Sequence, residues 1–280
     1  MENRGKTEKR PDMAVLVVSF GTSYNDAREK TIDVMEREIK EAFPDCLVCR
    51  AWTSKMIISK LKKRDNMEIF TVAGAMEHLR EKGVSRLVVQ PTHIINGIEN
   101  DLMKEDVLKC RDQFTAITFG DPLLSSNEDN VEAIEALMKE YGKLPSQEAL
   151  VFMGHGTEHY VNTTYAALDY TFKDLGYENV HMGTVESYPS IENVINKVRV
   201  TNPSKVVLAP FMFVAGDHAR NDMSGDDEDS WKSQFEKEGF QVQCVIKGLG
   251  EYPQIRGLFM KHLLKAMEEC EKISRSEAAQ

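Results

Sequence analysis

Short apolar runs alternate with amphipathic stretches from one end of this chain to the other, and few architectures accept that pattern. Met13 to Ser19 (MAVLVVS) is apolar at nearly every position, as a strand buried on both faces must be. Asp26 to Phe43 carries a helical period and meets Pro44, which cannot continue a helix. Leu47 to Trp52 follows as a strand, then helical stretches at Ile57 to Lys63 and Val72 to Lys82, with Gly83 as a C-terminal cap. Arg86 to Gln90 is the next β-rich run, and Glu99 to Gln113 is helical. The second half gives strands at Leu150 to Met153, Val180 to Val185, Lys205 to Ala209 and Gln241 to Val245. Between and after them lie helices at Val161 to Leu175, Ile191 to Val200, Trp231 to Glu238 and Ile255 to Ile273. Strands separated by helices pair in parallel, so the expected class is α/β, with parallel sheets covered by helices.

The two halves echo each other. VVSFGTSYNDA resembles VFMGHGTEHYV, with Gly21-Thr22 matching Gly156-Thr157. VVQPTHIINGIEND resembles VLAPFMFVAGDHARND, with Pro91 and Gly97 matching Pro210 and Gly216. Two motifs recurring in the same order point to two similar lobes, residues 13–125 and 126–273, related by a pseudo-twofold axis with a cleft between them. The last helix is free to pack back on the first lobe. Met1 to Asp12 and Ser274 to Gln280 are expected to lack fixed structure.

Composition narrows the function classes. At 280 residues with 41% hydrophobic and 29% charged side chains, the chain is an ordinary globular enzyme by content. A formal net charge of −10 disfavours nucleic acid as a partner. No apolar window is long enough to span a membrane, and the polar start MENRGKTEKRPD does not read as a secretory leader, so a cytoplasmic location is expected. The five cysteines are odd in number, which suggests reduced thiols; Cys46 and Cys49 have CxxC spacing but no second pair nearby.

Ligands of open α/β sheets bind beyond the carboxyl ends of the strands, where the βα loops converge. Three successive loops of the second half carry reactive groups there: His155 in Gly154-His155-Gly156-Thr157, Glu186 in Glu186-Ser187-Tyr188-Pro189, and His218 in Ala215-Gly216-Asp217-His218. In the first half Phe20 stands for His155 and Glu99 for His218. Taken singly, each histidine reads as a hydrogen-bonded packing residue and Glu186 as a helix-start carboxylate. Taken together, two imidazoles and a carboxylate suit Co²⁺, Fe²⁺, Ni²⁺ or Zn²⁺, and ligand type does not choose among them. Three ligands leave positions open, as a site that transfers its metal requires. His93 and His159 read as supporting or surface groups, and His78, His181 and His262 as structural.

Eight segments, VVSFGTSYNDA, AWTSKMIISKL, THIINGIEND, DPLLSS, VFMGHGTEH, VESYPSIENVI, FMFVAGDHARNDMSGDDEDSW and GLGEYPQIR, together resemble the anaerobic-type sirohydrochlorin cobaltochelatases. These are class II chelatases, ATP-independent and ferrochelatase-like in fold; the resemblance runs from about Met13 to about Glu271. It implies two Rossmann-like lobes and insertion of Co²⁺ into sirohydrochlorin, or its reduced precursor precorrin-2, in cobalamin biosynthesis. His155, Glu186 and His218 match the metal ligands, and His155, His218 and Glu99 the catalytic groups. Co²⁺ is then both substrate and transient ligand, with no nucleotide or organic cofactor.

Metal insertion removes two pyrrole protons. His155 is the expected base because an imidazole titrates near neutral pH, with Glu99 taking or relaying the second proton. Candidate substrate contacts are Ser19, Phe20, Gly21, Thr22, Ser54 and Met56. Backbone N–H groups of the 19–23 and 125–126 loops are offered to substrate carboxylates, as is the basic stretch Lys55, Lys60, Lys62, Lys63 and Arg64, whose plainer reading is a solvated helix face. Iron or nickel insertion and a non-enzymatic tetrapyrrole or metal carrier stay open, as does a homo-oligomer. A metal-dependent hydrolase is disfavoured because no P-loop, nucleophile elbow or HExxH is present.

Overall fold

A run of seven residues buried on both faces, β1 (Met13–Ser19), organises the first half. Around it assemble β2 (Leu47–Trp52), the two-residue β3 (Phe70–Thr71), β4 (Arg86–Pro91) and β5 (Ala116–Phe119), all parallel, in the order β3-β2-β1-β4-β5. In the second half β6 (Glu148–Gly154) takes the central place of β1, giving the parallel order β7-β6-β8-β9 with β7 (Val180–Thr184), β8 (Lys205–Pro210) and β9 (Gln241–Cys244). The computed structural model describes residues 12–278; the expectation for residues 1–11 and 279–280 lies outside them.

The helices are α1 (Asn25–Lys30), α2 (Ile32–Ala42), α3 (Lys55–Asp65), α4 (Val72–Glu81), α5 (Ile98–Leu108) and α6 (Asn127–Tyr141). They continue with α7 (Thr163–Asp174), α8 (Ile191–Thr201), α9 (Trp231–Lys237) and α10 (Pro253–Ala278). Side chains alternate across a strand, so Met13, Val15 and Val17 enter one core while Ala14, Leu16 and Val18 enter another. The first core is shared: Leu150 and Phe152 of β6 and Val207 and Ala209 of β8 join it, with α2, α6, α7 and α10 filling the space. Helices α4 and α5 cover the outer face of the first sheet, and α8 and α9 that of the second. Because both sheets bury an inner face in one cluster, the two halves share a core.

The α/β expectation holds, with local corrections. The helix expected from Asp26 to Phe43 is two, broken at Thr31, whose hydroxyl donates to the Ala27 carbonyl at 2.6 Å and competes with the helical ladder. The helix expected to reach Gln113 stops at Leu108, with a 3₁₀ turn at Arg111–Gln113. Strand β5 and helix α6 lie where no element was expected. Residues 274–278, expected to be unstructured, continue α10, where Arg275 pairs with Glu271 one turn back. Helix α10 returns to the first half: Thr118 donates to the Ala266 carbonyl at 2.8 Å, and Arg256 pairs with Glu38 at 2.7 Å. Among the described residues no helix is long and apolar enough to cross a membrane.

Strand register confirms the duplication residue by residue. Val18 lies opposite Pro91, and Met153 opposite Pro210. Beyond the strand ends, Ser54 N–H donates to the Phe20 carbonyl at 3.2 Å, and Glu186 N–H to the His155 carbonyl at 2.9 Å. Phe20, Ser54 and Glu99 are therefore the first-half counterparts of His155, Glu186 and His218.

Candidate metal centre

The glycines around His155 have a steric cause. Gly156 has φ +89°, a conformation other residues adopt only with strain, and a Cβ there would sit 3.0 Å from the Ser187 backbone nitrogen. A Cβ on Gly154 would sit 2.5 Å from the Tyr165 ring. Gly154 thus leaves room for Tyr165 of α7, and Gly156 lets the loop after β6 fold tightly onto the loop after β7, where His155 lies beside Glu186: Nδ1 to Oε2 is 3.5 Å. His218 arrives from the loop after β8, immediately before a π-helical turn at Ala219–Met223. The two imidazoles meet edge to face, with centroids 4.6 Å apart at 89°.

One ligand atom from each of His155, Glu186 and His218 lies within 4.8 Å of the others. The hydrogen bonds fix which imidazole atoms are available. His155 Nδ1 faces the Gly156 carbonyl at 2.9 Å; a carbonyl only accepts, so Nδ1 carries the proton and Nε2 keeps its lone pair. His218 Nδ1 donates to Asp222 Oδ2 at 2.6 Å, which likewise leaves Nε2 free and fixes the ring's orientation. Side-chain exposures of 43%, 54% and 31% for the trio leave its outer face open to a large ligand. Asp222 was not singled out from the sequence. Its position four residues after His218, one helical turn on, was the available signal.

The other candidates fall into two groups. Phe20 and Met56 are exposed, at 45% and 77%, beyond the carboxyl end of the first sheet, and Glu99 is exposed in the first turn of α5. Exposed Ile98, Leu102, Tyr160 and Tyr188 occupy the same end of the two sheets. Ser19, Thr22 and Ser54 have their hydroxyls engaged within the fold: Ser19 accepts from Thr92 at 2.9 Å, Thr22 from Tyr24 N–H at 3.2 Å, and Ser54 caps α3. Gly21, at φ +101°, packs so closely on Trp52 that a Cβ would meet the indole at 2.5 Å. In the 125–126 loop, Ser125 N–H is taken by Asp129 at 3.2 Å. Lys60, Lys62 and Arg64 of the basic stretch reach Ser23, Glu68 and Asp65.

The remaining histidines lie outside the trio. His159 pairs with Asp101 at 3.6 Å, and His262 is buried against Asp129 at 3.0 Å. His93 sits in the interior with Nδ1 3.4 Å from Asn100, and burial pushes its pKa down. His181 is buried with neither ring nitrogen hydrogen-bonded. Burial raises the thiol pKa of Cys46 and pushes that of Cys49 up to about 11, so the CxxC pair is held as thiols.

A family model described as cobalt chelatase (CbiK) matches residues 13–268. The chain is 43% identical over 254 residues to the sirohydrochlorin cobaltochelatase of Salmonella typhimurium, covering 91% of this chain and 96% of that protein. It is 33% identical over 261 residues to sirohydrochlorin cobaltochelatase CbiKC of Nitratidesulfovibrio vulgaris, covering 90% of each. Among solved structures, SirB from Bacillus subtilis with Fe³⁺ is similar at a TM-score of 0.61 and 12% identity, over 91% of this chain and 95% of that one. CbiX, the terminal enzyme for biosynthesis of siroheme in denitrifying bacteria, is similar at 0.55 and 14%, over 90% and 99%. At such identities the structural likenesses speak to the fold alone, whereas the family model and the two close relatives span nearly the whole sequence: this chain belongs to the cobalt chelatase (CbiK) family.

Proposed function

We propose that this protein inserts Co²⁺ into sirohydrochlorin, or into its reduced precursor, without ATP, as a step of cobalamin biosynthesis. The observation that carries the reading is the convergence of His155, Glu186 and His218 within 4.8 Å, each imidazole with a free Nε2. The sirohydrochlorin cobaltochelatases at 43% and 33% identity supply the substrate.

Co²⁺ is held as substrate by Nε2 of both histidines and a Glu186 oxygen. Three protein ligands leave its other positions to water and then to ring nitrogens, so affinity stays moderate and the ion can leave. The macrocycle lies across the open face, against exposed Phe20, Met56 and Tyr188. Insertion is balanced by release of two protons from the pyrrole nitrogens. His155 Nε2 accepts one once it has released the metal, since one lone pair cannot serve both; Glu99 takes or relays the other from the opposite half. Asp222 holds the His218 ring orientation while the metal passes. Residues 13–125 and 126–273 act as the two walls of the cleft, with α10 returned to the first. The same reading gives a cytoplasmic enzyme needing no nucleotide, organic cofactor or nucleic acid.

Anaerobic spectrophotometry of sirohydrochlorin with Co²⁺ and substoichiometric protein tests this. Many metallated rings per chain are expected, and few or none from His155→Ala. Stoichiometric binding without turnover makes the protein a carrier; undiminished turnover by His155→Ala removes the assigned base. Faster insertion of Fe²⁺ or Ni²⁺ at equal concentration overturns the choice of metal.

A further inference from the structure

His218 belongs to a loop of the second half, yet the segment that carries it is fastened to the first. The Arg220 guanidinium carbon lies 4.3 Å from the centre of the Tyr24 ring, and Arg220 Nη2 pairs with Asp26 Oδ2 at 2.6 Å. Tyr24 Oη donates to Asp217 Oδ1 at 3.0 Å, and Asn221 Nδ2 donates to the same oxygen at 3.1 Å. Asp217, immediately before His218, and Arg220, two residues after it, are thus held by the loop that leads into α1 and by its first turn. A Cβ on Gly216 would touch Thr22 Oγ1 at 3.4 Å, so the Gly216 backbone also lies close to the Thr22 side chain.

The segment needs such support. Ala219–Met223 is a π-helical turn, wider and less stable than the α-helical ladder. It carries both His218 at its start and Asp222, the group that orients His218. Asp26 and Arg220 are partly exposed, at 56% and 31%, and an exposed ion pair contributes little stability by itself. Stacking on Tyr24 and the shared Asp217 oxygen add direction rather than much energy. Such contacts are better suited to fixing a geometry than to holding a fold, and metal ligands tolerate displacements of only about 0.5 Å.

We infer that Tyr24, Asp26 and Arg220 form a cross-cleft tie that positions His218 for Co²⁺, so that the metal site is complete only while this edge of the two halves is docked. The three are positioning residues: they act through His218 and touch neither metal nor ring. The duplication supplies a built-in contrast. Tyr24 follows Phe20 by four residues as His159 follows His155, and Arg220 stands ten after Pro210 as Asp101 stands ten after Pro91. The His159–Asp101 pair, 3.6 Å apart, is therefore the counterpart tie at the other edge, and it holds α5 rather than a metal ligand.

This inference rests on reading the trio as the cobalt site. Anaerobic titration of the full chain with Co²⁺ alone, following its ligand-field absorption, tests both and separates them. Arg220→Ala and Tyr24→Ala should each weaken Co²⁺ binding about tenfold, the scale of losing a group that orients a metal ligand, and should shift the visible bands. The double variant should be no worse than either single one, because the pair acts as a unit. Arg220→Lys, which keeps the Asp26 pair and a cation over the ring, should recover most of the affinity, whereas Asp101→Asn should leave it unchanged. In turnover, Arg220→Ala should raise KM for Co²⁺ more than it lowers kcat. Parental affinity and spectrum in both Arg220→Ala and Tyr24→Ala overturn the tie. If His155→Ala also binds Co²⁺ normally, the metal site itself is wrong; if His155→Ala loses binding while the other two do not, the tie alone falls.

Discussion

The two halves of this molecule share a frame and differ at its business end. Around β1 and around β6 the register, the turn glycines at φ +101° and +89°, and the backbone bonds that follow are the same. At matched positions one half presents Phe20, Ser54 and Glu99, the other His155, Glu186 and His218. Behind His218 stands Asp222; its counterpart behind Glu99 is Met103, 1% exposed in the outer core. The scaffold therefore supplies two sets of loop ends, of which the second brings two imidazoles and a carboxylate within 4.8 Å, with Asp222 bonded behind His218. On the proposed reading a macrocycle between the two halves meets the metal on one face and an apolar surface on the other, a division that identical ends would not offer.

Matched substitutions break or sharpen this comparison, the largest effect first. His155→Ala should lower cobalt insertion by about 10²- to 10⁴-fold, the usual range for losing a proton-transfer group. Phe20→Ala, at the same place in the other half, should leave Co²⁺ affinity alone and raise KM for the macrocycle. Equal losses of cobalt affinity in the two variants, measured by titration, would falsify the division between a metal half and a ring half.

Next in size is the support. Asp222→Asn should cost roughly 10- to 100-fold in Co²⁺ affinity by removing the charge that holds His218 Nδ1–H. Met103→Ala should instead cost about 2–5 kcal/mol of stability, through the cavity it leaves, with Co²⁺ affinity unaltered. Calorimetry of metal binding beside urea denaturation of both variants separates the two effects.

How much of this was legible in the sequence depends on distance along the chain. Long apolar runs such as β1 and β6 declare themselves, and so do loop ends that carry His155, Glu186 and His218. Strand β5 offers only Ala116–Phe119, too short a run to stand out from the loop before it. Helix α6 did have a signal, Ser126 capping with Asp129 three residues on, followed by Val131, Ile134, Leu137 and Met138 at helical spacing. The break at Thr31 depends on one hydroxyl turning back to Ala27, which propensity does not encode. Tyr24 and Arg220 carry no mutual signal, because only the docking of the halves brings them together. Residue types could nominate candidate ligands, and Asp222 lay one turn from His218, but the Tyr24–Arg220 contact is tertiary.

A third contrast lies on the second strands. Ser19 pairs with Trp52 and Gly154 with Thr184, so Cys49 and His181 occupy the same place in the two sheets. Burial keeps both uncharged, pushing the Cys49 thiol up to about 11 and the His181 imidazole down to about 4. Lys173 and Lys197 beside His181 push in the same direction, and Asp169 opposes them. An imidazole depressed from its ordinary value near 6.5 takes up its proton in the unfolded chain first. Stability from this position is therefore present above about pH 6.5 and lost as pH falls towards about 4. The loss should be about 2 kcal/mol, read from urea midpoints at pH 7 and pH 4.5. His181→Cys, which installs the residue of the other half, should remove that part of the slope; an unchanged slope would mean that His181 does not titrate on unfolding.

The smallest predicted effect concerns how the helices after those strands stop. Both α3 and α8 end on an asparagine in the left-handed region, Asn66 at φ 52° and Asn202 at φ 45°, each donating its N–H back to the last turn. Glycine takes that conformation without the Cβ penalty, so Asn66→Gly should stabilise by a few tenths of a kcal/mol. Asn202 is followed by Pro203, whose ring crowds the preceding residue when it is not extended. The strain relieved by Asn202→Gly should accordingly be larger, about 1 kcal/mol, and the two alanine variants should be destabilised in the same order. Equal gains at both positions in thermal denaturation would show that the proline adds no strain there, and that the two helix ends, unlike the two loop ends, have remained interchangeable.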